Sequence, residues 1–403
     1  MPVPAAAQAG ARQLLILNDG FGKLDAWADL AGAAPLPVAS LGTDDSTRLL
    51  SRISKPGQAT LTVVSHPHPR YLYDLLQHHE GAVPRDPSYR PDTGELARID
   101  ESFRDTRQSE AREVRADLAV GSDVALAALS TPVPAQGSLT SWVTADPGAR
   151  WAAQTSVADL GERGAVRSYA PRSVTAETWL SPLHHPRMLN DGAHQAPFRT
   201  GDIISTSTMA AWGDSGGHAG VVWADGDTSK ISLYQGDELL GEDANERIVT
   251  VEGLSPQPRP YRLVVAGERD LPGRPYSTRT RTEWGFTSGT TDCTTLAPLP
   301  LIQLDYAAAT DLSGRAHRRT ELTVTASHLK GATGAAPVRT VAVDVSYDDG
   351  TTWHPAPLHG TDGSRRALLD APSGARYASL RTTARDTAGN TVSQTLIRAF
   401  GLQ

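Results

Sequence analysis

Five consecutive residues, Gly213-Asp214-Ser215-Gly216-Gly217, carry the sharpest chemical signal in the chain. A serine in such a glycine-rich turn attacks a carbonyl carbon only when a histidine takes its proton and a carboxylate holds that histidine. The histidines upstream are His66, His68, His78, His79, His184, His185 and His194, and His218 follows the motif directly. The flanks read as an Asp-Gly-rich turn between strands, so Ser215 stands as the candidate of an alternative, hydrolytic reading. A second cluster, His78-His79 beside Asp74 and Glu80, has ligand chemistry but no second ligand group at a metal-site spacing, and a solvated loop is expected there. Cys293, the single cysteine, closes no intrachain disulfide. No residue is assigned a catalytic, cofactor-binding or metal role on these grounds.

These residues sit in a chain of 403 residues with 39% hydrophobic side chains, enough for several domains with cores. Gly 36 and Pro 28 favour short strands joined by many turns. Lys+Arg 38 against Asp+Glu 45 leaves a net charge of -7 and no basic patch, so nucleic acid is not expected as a partner. The longest aliphatic run, Leu14-Leu15-Ile16-Leu17, falls far short of the roughly 20 apolar residues of a membrane span. The first residues lack the basic stretch and apolar core of a secretory signal.

Over 5–11 the composition predicts a helix, over 13–18 a buried strand ending at Asn18-Asp19-Gly20, and over 36–40 a second strand. Thr43 caps a helix with Asp44 and Asp45 in its first turn and Leu49, Leu50 and Ile53 on one face, and 59–65 reads as a third strand. Such a unit is too small to cover a sheet on both faces. The run from Ala5 through Leu61-Thr62-Val63 resembles the second half of a protease-associated domain as inserted in large secreted subtilases. Residues 1–66 are therefore expected to be a partial protease-associated domain, and the proline-rich residues 67–130 a connector with some strand.

Residues 131–290 show short alternating runs such as Ser141-Trp142-Val143-Thr144 and Lys230-Ile231-Ser232-Leu233-Tyr234, the pattern of an antiparallel β-sandwich. Five of the eight tryptophans (Trp142, Trp151, Trp179, Trp212, Trp223) fall here, as core residues or, alternatively, as a platform for sugars. Residues 297–403 form the clearest domain. Strands are expected at 301–306, 321–327, 339–347, 366–370, 377–385 and 391–399, with turns at Asp348-Asp349-Gly350 and Asp386-Thr387-Ala388-Gly389-Asn390. In 341–347 the odd-numbered residues form the apolar face. This predicts an immunoglobulin-like or fibronectin type III-like sandwich with Trp353 as its core aromatic. The fold class is thus mainly β: a β-sandwich and a C-terminal immunoglobulin/fibronectin type III-like sandwich, preceded by a partial α/β domain.

Four motifs have family counterparts. Gly213–Gly217 matches the nucleophile motif of chymotrypsin-like proteases, yet no upstream histidine lies in their Ala-Ala-His-Cys setting and His218 replaces the proline that commonly follows. Ser205-Thr206-Ser207-Thr208-Met209-Ala210 echoes the subtilase nucleophile signature with an inserted Thr208, which would rotate Ser207 off the helix N-terminus where oxyanion donors lie. His359-Gly360-Thr361 looks like the subtilase histidine motif but follows the serine candidate, the reverse of that family's order. Ser346-Tyr347-Asp348-Asp349-Gly350-Thr351-Thr352-Trp353 fits the Asp-box pattern of sialidase propellers. A propeller needs several copies, so one copy reads as a stabilising hairpin.

Pro134-Ala135-Gln136-Gly137, the run Tyr276-Ser277-Thr278-Arg279-Thr280-Arg281-Thr282-Glu283-Trp284-Gly285-Phe286, Leu299-Pro300-Leu301-Ile302-Gln303-Leu304-Asp305-Tyr306, and the ending Ala384-Arg385-Asp386-Thr387-Ala388-Gly389-Asn390 through Arg398-Ala399-Phe400-Gly401-Leu402 resemble the C-terminal part of large actinobacterial subtilase-family serine peptidases. The resemblance implies an extracellular setting and proteolysis by a parent architecture whose catalytic motifs map to no residue here. The expected function is a non-catalytic accessory region, a gene fragment or split partner of such a peptidase, contacting its catalytic domain or a protein substrate and requiring no cofactor. The alternatives are a carbohydrate or cell-wall binding module and a serine hydrolase using Ser215.

Overall fold

The computed structural model describes residues 3–18, 20, 36–53, 62, 64, 68–79, 81–106, 111–118, 121, 125–127, 130–146, 148–157, 160–207, 209, 211–222, 227–244, 248–360 and 363–403. The chain divides into two compact units, Met1–His66 and Pro67–Gln403.

In the first unit, helix α1 (Val3–Gln8) precedes β1 (Leu14–Leu17), β2 (Val38–Leu41) and α2 (Thr43–Ile53). The strands pair in parallel, Leu14 opposite Val38 and Leu17 opposite Leu41. Asp44 and Asp45 occupy the first turn of α2, where the helix dipole favours acid. Buried Ser46 anchors that helix by donating to the Leu41 carbonyl at 3.2 Å. The expected apolar face is largely open, with Leu50 50% and Ile53 41% exposed. The strand expected over 59–65 lies largely outside the described residues.

The second unit opens with a sandwich built from β3 (Tyr71–Asp74), β4 (Leu96–Arg104), β5 (Ala111–Leu118), β6 (Ala125–Ala127), β7 (Ser130–Val133), β8 (Gln136–Thr144), β9 (Arg150–Val157), β10 (Leu160–Gly164) and β11 (Val174–Trp179). Residues 67–130, expected as connector with some strand, thus contribute β4 and β5, two long members of it. One sheet runs β11-β4-β8-β3, and β10, β9, β5 and β6 lie in order in the other. Ala97 and Ile99 of β4 and Val143 of β8 pack on Trp151 of β9, which joins the two sheets face to face.

A second sandwich follows with β12 (Phe198–Thr200), β13 (Ile203–Ser205), β14 (His218–Val222), β15 (Asp227–Gln235), β16 (Glu238–Ala244), β17 (Thr250–Val251), β18 (Arg259–Arg269), β19 (Arg279–Ser288) and β20 (Ala297–Pro298). Its sheets run β17-β13-β12-β20 and β16-β15-β18-β19. With β12, β13, β15, β16, β17, β18 and β19 as strands A, B, C, C′, E, F and G, this is the A-B-E and C′-C-F-G arrangement of a fibronectin type III-like sandwich. The connection from B to C is enlarged, and its strand β14 leaves the sandwich to pair with β10 of the preceding one, His218 opposite Gly164 and Val222 opposite Leu160.

The C-terminal residues repeat the pattern. Strands β21 (Ile302–Ala308), β22 (Arg315–Ala316), β23 (Arg319–His328), β24 (Val338–Ser346), β25 (His354–Ala356), β26 (Ser364–Asp370), β27 (Tyr377–Asp386) and β28 (Thr391–Leu402) cover every strand expected there. Their sheets, β21-β23-β26 and β25-β24-β27-β28, are again A-B-E and C′-C-F-G. Val341, Val343 and Val345 face the core, as their alternation requires. The two G strands pair antiparallel, Arg279 opposite Ile397 and Gly285 opposite Thr391, so both C′-C-F-G sheets merge into one nine-stranded sheet.

Three tryptophans of the expected core set, Trp151, Trp179 and Trp212, are buried; Trp142 is half-buried and Trp223 lies outside the described residues. The expectation for Trp353 is corrected. It is half-buried on the outer face of the merged sheet, beneath the Arg381 guanidinium at 4.8 Å, while the buried aromatic nearby is Trp284, whose indole N–H donates to Ile302 O at 2.8 Å. Trp353 follows the Asp348 hairpin, and leaving that turn on the outer side carries its ring away from the A-B-E sheet.

Candidate functional site

The turn Gly213–Gly217 lies in the enlarged B-to-C connection, immediately before β14. A bridge closes it, with Asp214 N–H donating to His218 O at 3.0 Å, and His185 N–H donates to Gly213 O at 2.8 Å. Close backbone packing accounts for the glycines. A Cβ at Gly213 would meet His218 O at 2.4 Å, one at Gly216 would meet Thr178 O at 2.5 Å, and one at Gly220 would meet Trp212 O at 2.1 Å.

Ser215 is brought to a histidine that its sequence context did not single out. Its Oγ lies 2.8 Å from His185 Nε2, and His185 Nδ1 lies 3.0 Å from Pro186 O. A carbonyl only accepts, so Nδ1 carries the proton and Nε2 accepts from the serine hydroxyl. Ser215 Oγ in turn accepts the backbone N–H of Tyr306 of β21 at 2.9 Å. Burial lowers the His185 imidazole to a pKa of about 4.

These are two parts of a nucleophilic triad, tuned poorly for catalysis. An imidazole with a pKa near 4 is a weak base at neutral pH, where a general base works best with a pKa close to the ambient value. A backbone carbonyl orients it instead of a carboxylate. Asp214 is engaged elsewhere, taking the N–H of Gly216 at 2.9 Å and facing His218 Nδ1 at 2.7 Å. The Gly216 N–H is held by that carboxylate.

Behind the turn lies a buried cluster. Glu162 Oε2 accepts the Leu180 N–H at 2.7 Å, and its Oε1 lies 3.2 Å from His184 Nε2 without hydrogen-bond alignment. Arg269 donates to His184 Nδ1 at 3.0 Å, which leaves the His184 proton on Nε2, toward Glu162. Trp179 stacks on His218 with ring centroids 3.7 Å apart. Burial, and then the Asp214 charge, raises the Glu162 pKa well above the usual carboxylate range; burial, and then Arg269, lowers that of His184.

Among the described residues, Glu162, Asp214 and His218 offer ligand atoms within 4.8 Å of one another and are the group that could hold a metal ion. The cluster is a buried polar network between β10, β14 and the 180–187 segment, in which Glu162 Oε1 and His184 Nε2 approach at 3.2 Å without a hydrogen bond.

The other candidates do not converge here. His78 and His79 are exposed, Asp74 turns to Arg115 Nε at 3.1 Å, and Glu80 lies outside the described residues. Ser207 follows strand β13 with φ 52°, and neighbouring Thr206 accepts the Val249 N–H at 2.8 Å. His359 is exposed and bridges Arg366 of β26. In the Asp-box hairpin, Asp348 accepts from Ser346 Oγ at 2.7 Å and from Thr352 N–H at 2.8 Å. The Thr352 N–H, its hydroxyl and that of Ser346 hold the Asp348 carboxyl at a pKa of about 2.

Fold and site together define a β protein with tandem fibronectin type III-like modules behind a further β-sandwich. No protein-family model and no curated protein matches the chain. Among solved structures it is similar to the three fibronectin domains FN1-FN3 of chicken CNTN1, at 10% identity over 73% of this chain and 91% of that one, TM-score 0.15. It is also similar to the N-terminal four Ig domains of Dscam1 isoform 7.44, at 10% identity over 78% of this chain and 73% of that one, TM-score 0.14. The fold assignment rests on the strand orders of the chain itself.

Proposed function

We propose that this chain is a non-catalytic interaction region of the kind that accompanies the catalytic domain of extracellular subtilisin-like serine peptidases, serving to position substrate or adhere to a surface. The observation that carries it is the merged nine-stranded sheet, which joins the two modules through hydrogen bonds between their G strands. The motif serine supports the non-catalytic side, because its oxygen also accepts the Tyr306 N–H and the facing imidazole is oriented by the Pro186 carbonyl, not by a carboxylate. The link to peptidases rests on the resemblance of the strings 276–286, 299–306 and 384–402. Retention of the full chain on insoluble polysaccharides and on immobilised denatured protein tests the interaction role, and absence of retention on every matrix would sink it.

A second reading, a serine hydrolase, is favoured by one observation, the 2.8 Å contact between Ser215 Oγ and His185 Nε2. A fluorophosphonate probe decides between the two. Labelling that disappears in Ser215→Ala establishes the hydrolase, whereas an unlabelled wild-type chain beside a labelled subtilisin control removes it.

A further inference from the structure

On the exposed face of the merged sheet the strand registers bring Ala244, Lys230, Ala266, Arg281, Thr395, Arg381 and Asp344 into one row crossing β16, β15, β18, β19, β28, β27 and β24. None of the seven is buried. Short side chains alternate with long cations along the row, and a groove of about 720 Å³ follows it across the seam between the two modules. Trp353 and Ile397 line the groove on the C-terminal module. The ionic lining is Lys230, Arg279, Arg281 and Arg381 against Glu268 and Asp349, and Asp349 is itself paired with Arg398 at 2.7 Å. The trough is thus lined by Lys230, Arg279, Arg281 and Arg381, three of them paired with surface carboxylates at its margin, Glu242, Glu283 and Asp344.

The geometry points to an extended anionic polysaccharide as the ligand of this trough, one with a carboxylate on every second sugar. Lys230, Arg281 and Arg381 stand on β15, β19 and β27, each separated from the next by one intervening strand. At the spacing of neighbouring strands their backbones are about 9–10 Å apart in a line. An extended peptide presents same-side residues every ~7 Å and falls out of step with such a row, whereas two linked sugar rings have a repeat of the right size. Each cation is poised for exchange. Lys230 pairs with Glu242 at 2.7 Å, Arg281 with Glu283 at 3.2 Å and Arg381 with Asp344 at 2.8 Å, all at the surface. Exposed pairs of this kind contribute only about 0–1 kcal/mol, so a ligand carboxylate replaces the partner at little cost. Arg381 is held ready by Asp344 on one side and by the Trp353 ring on the other.

This inference rests on the interaction role proposed above and gives it a ligand class and a site. The test is titration calorimetry of the full chain with hyaluronan oligosaccharides, which alternate glucuronate with an uncharged sugar. Chitin oligosaccharides of equal length and poly-L-glutamate serve as comparisons. Hyaluronan is expected to bind, to weaken as salt is raised, and to lose about tenfold in affinity in Arg281→Gln and again in Lys230→Gln, as for a lost charge-assisted hydrogen bond. Both side chains are exposed, and unchanged urea midpoints confirm the fold of the variants. Equal binding of the neutral chitin chain, tighter binding of poly-L-glutamate, or an Arg281→Gln affinity equal to wild type overturns the assignment. If the chain is retained on other matrices while these variants change nothing, the trough fails alone; if no matrix retains it, the interaction role fails as well.

Discussion

Ser215 and Tyr306 are joined across 91 positions of sequence by a hydrogen bond from the Tyr306 backbone N–H to the serine Oγ at 2.9 Å. The same tyrosine reaches the seam between the two fibronectin-like modules, its hydroxyl donating to Gln394 Oε1 at 2.8 Å, and Gln394 Nε2 donates to Thr282 Oγ1 at 2.8 Å. The turn that looks like a nucleophile motif therefore fastens the B-to-C connection of the middle sandwich to the A strand of the last one.

Replacing Ser215 by alanine leaves the Tyr306 N–H and His185 Nε2 without this partner. The expected loss is about 2 kcal/mol, the cost of stranding part-buried polar groups. Urea titration should show a lower midpoint at unchanged slope. A midpoint equal to wild type would mean that the serine is not structural.

Gly216→Ala forces a Cβ to within 2.5 Å of Thr178 O in a backbone that has little room to move. A loss of about 3 kcal/mol is expected from such overpacking. Thermal unfolding of the purified variant measures it. A fully stable Gly216→Ala would contradict the packing account of the motif glycines.

Acid weakens the site through His185. Its folded pKa of about 4 lies below the ordinary 6.5, so its contribution is complete above pH 6.5 and is lost as the pH falls from 6.5 through 4. The full effect is about 3 kcal/mol. Glu162, raised in the fold, acts in the opposite sense, its contribution being present below pH 4.5 and lost as the pH rises through its folded pKa. Stability measured against pH in Glu162→Gln should keep the acid loss, and adding His185→Asn should flatten it.

In the first sandwich, buried Arg115 is bound to Glu101 at 2.6 Å, to Glu113 and to Asp74 at 3.1 Å. Arg115→Met leaves these carboxylates uncompensated, a loss of about 3–5 kcal/mol at neutral pH. Because burial already raises the Glu113 pKa, protonation in acid should shrink the difference between variant and wild type. A deficit that stays constant down to pH 4 would show that lost packing, and not charge, is responsible.

Much of the fold was legible. Alternation in 341–347 and 377–385, and the Asp-Gly turns beside them, encode which face of each strand is apolar, so the strands of the last module could be placed to within a few residues. The strands Leu96–Arg104 and Ala111–Leu118 stood only as some strand within a connector, because charged residues there are paired inside the sandwich, as Glu101, Glu113 and Arg115 are. A composition reading takes such charges for surface. The site was less legible. His184-His185-Pro186 carries no spacing that points to Ser215, because 30 positions and a change of sandwich separate them.

Local pattern by itself determined that this is a mainly β chain with a fibronectin-like C-terminal module, since side-chain period and turn chemistry act over a few residues. Only the tertiary structure decided which strands became neighbours. The pairing of β19 with β28, the contact of His185 with Ser215 and the placing of Trp353 outside the core depend on edge-strand hydrogen bonds and packing between distant segments. A strand's period tells which face is buried, but its edge hydrogen bonds are the same for every partner, so the partner is chosen by the fold as a whole.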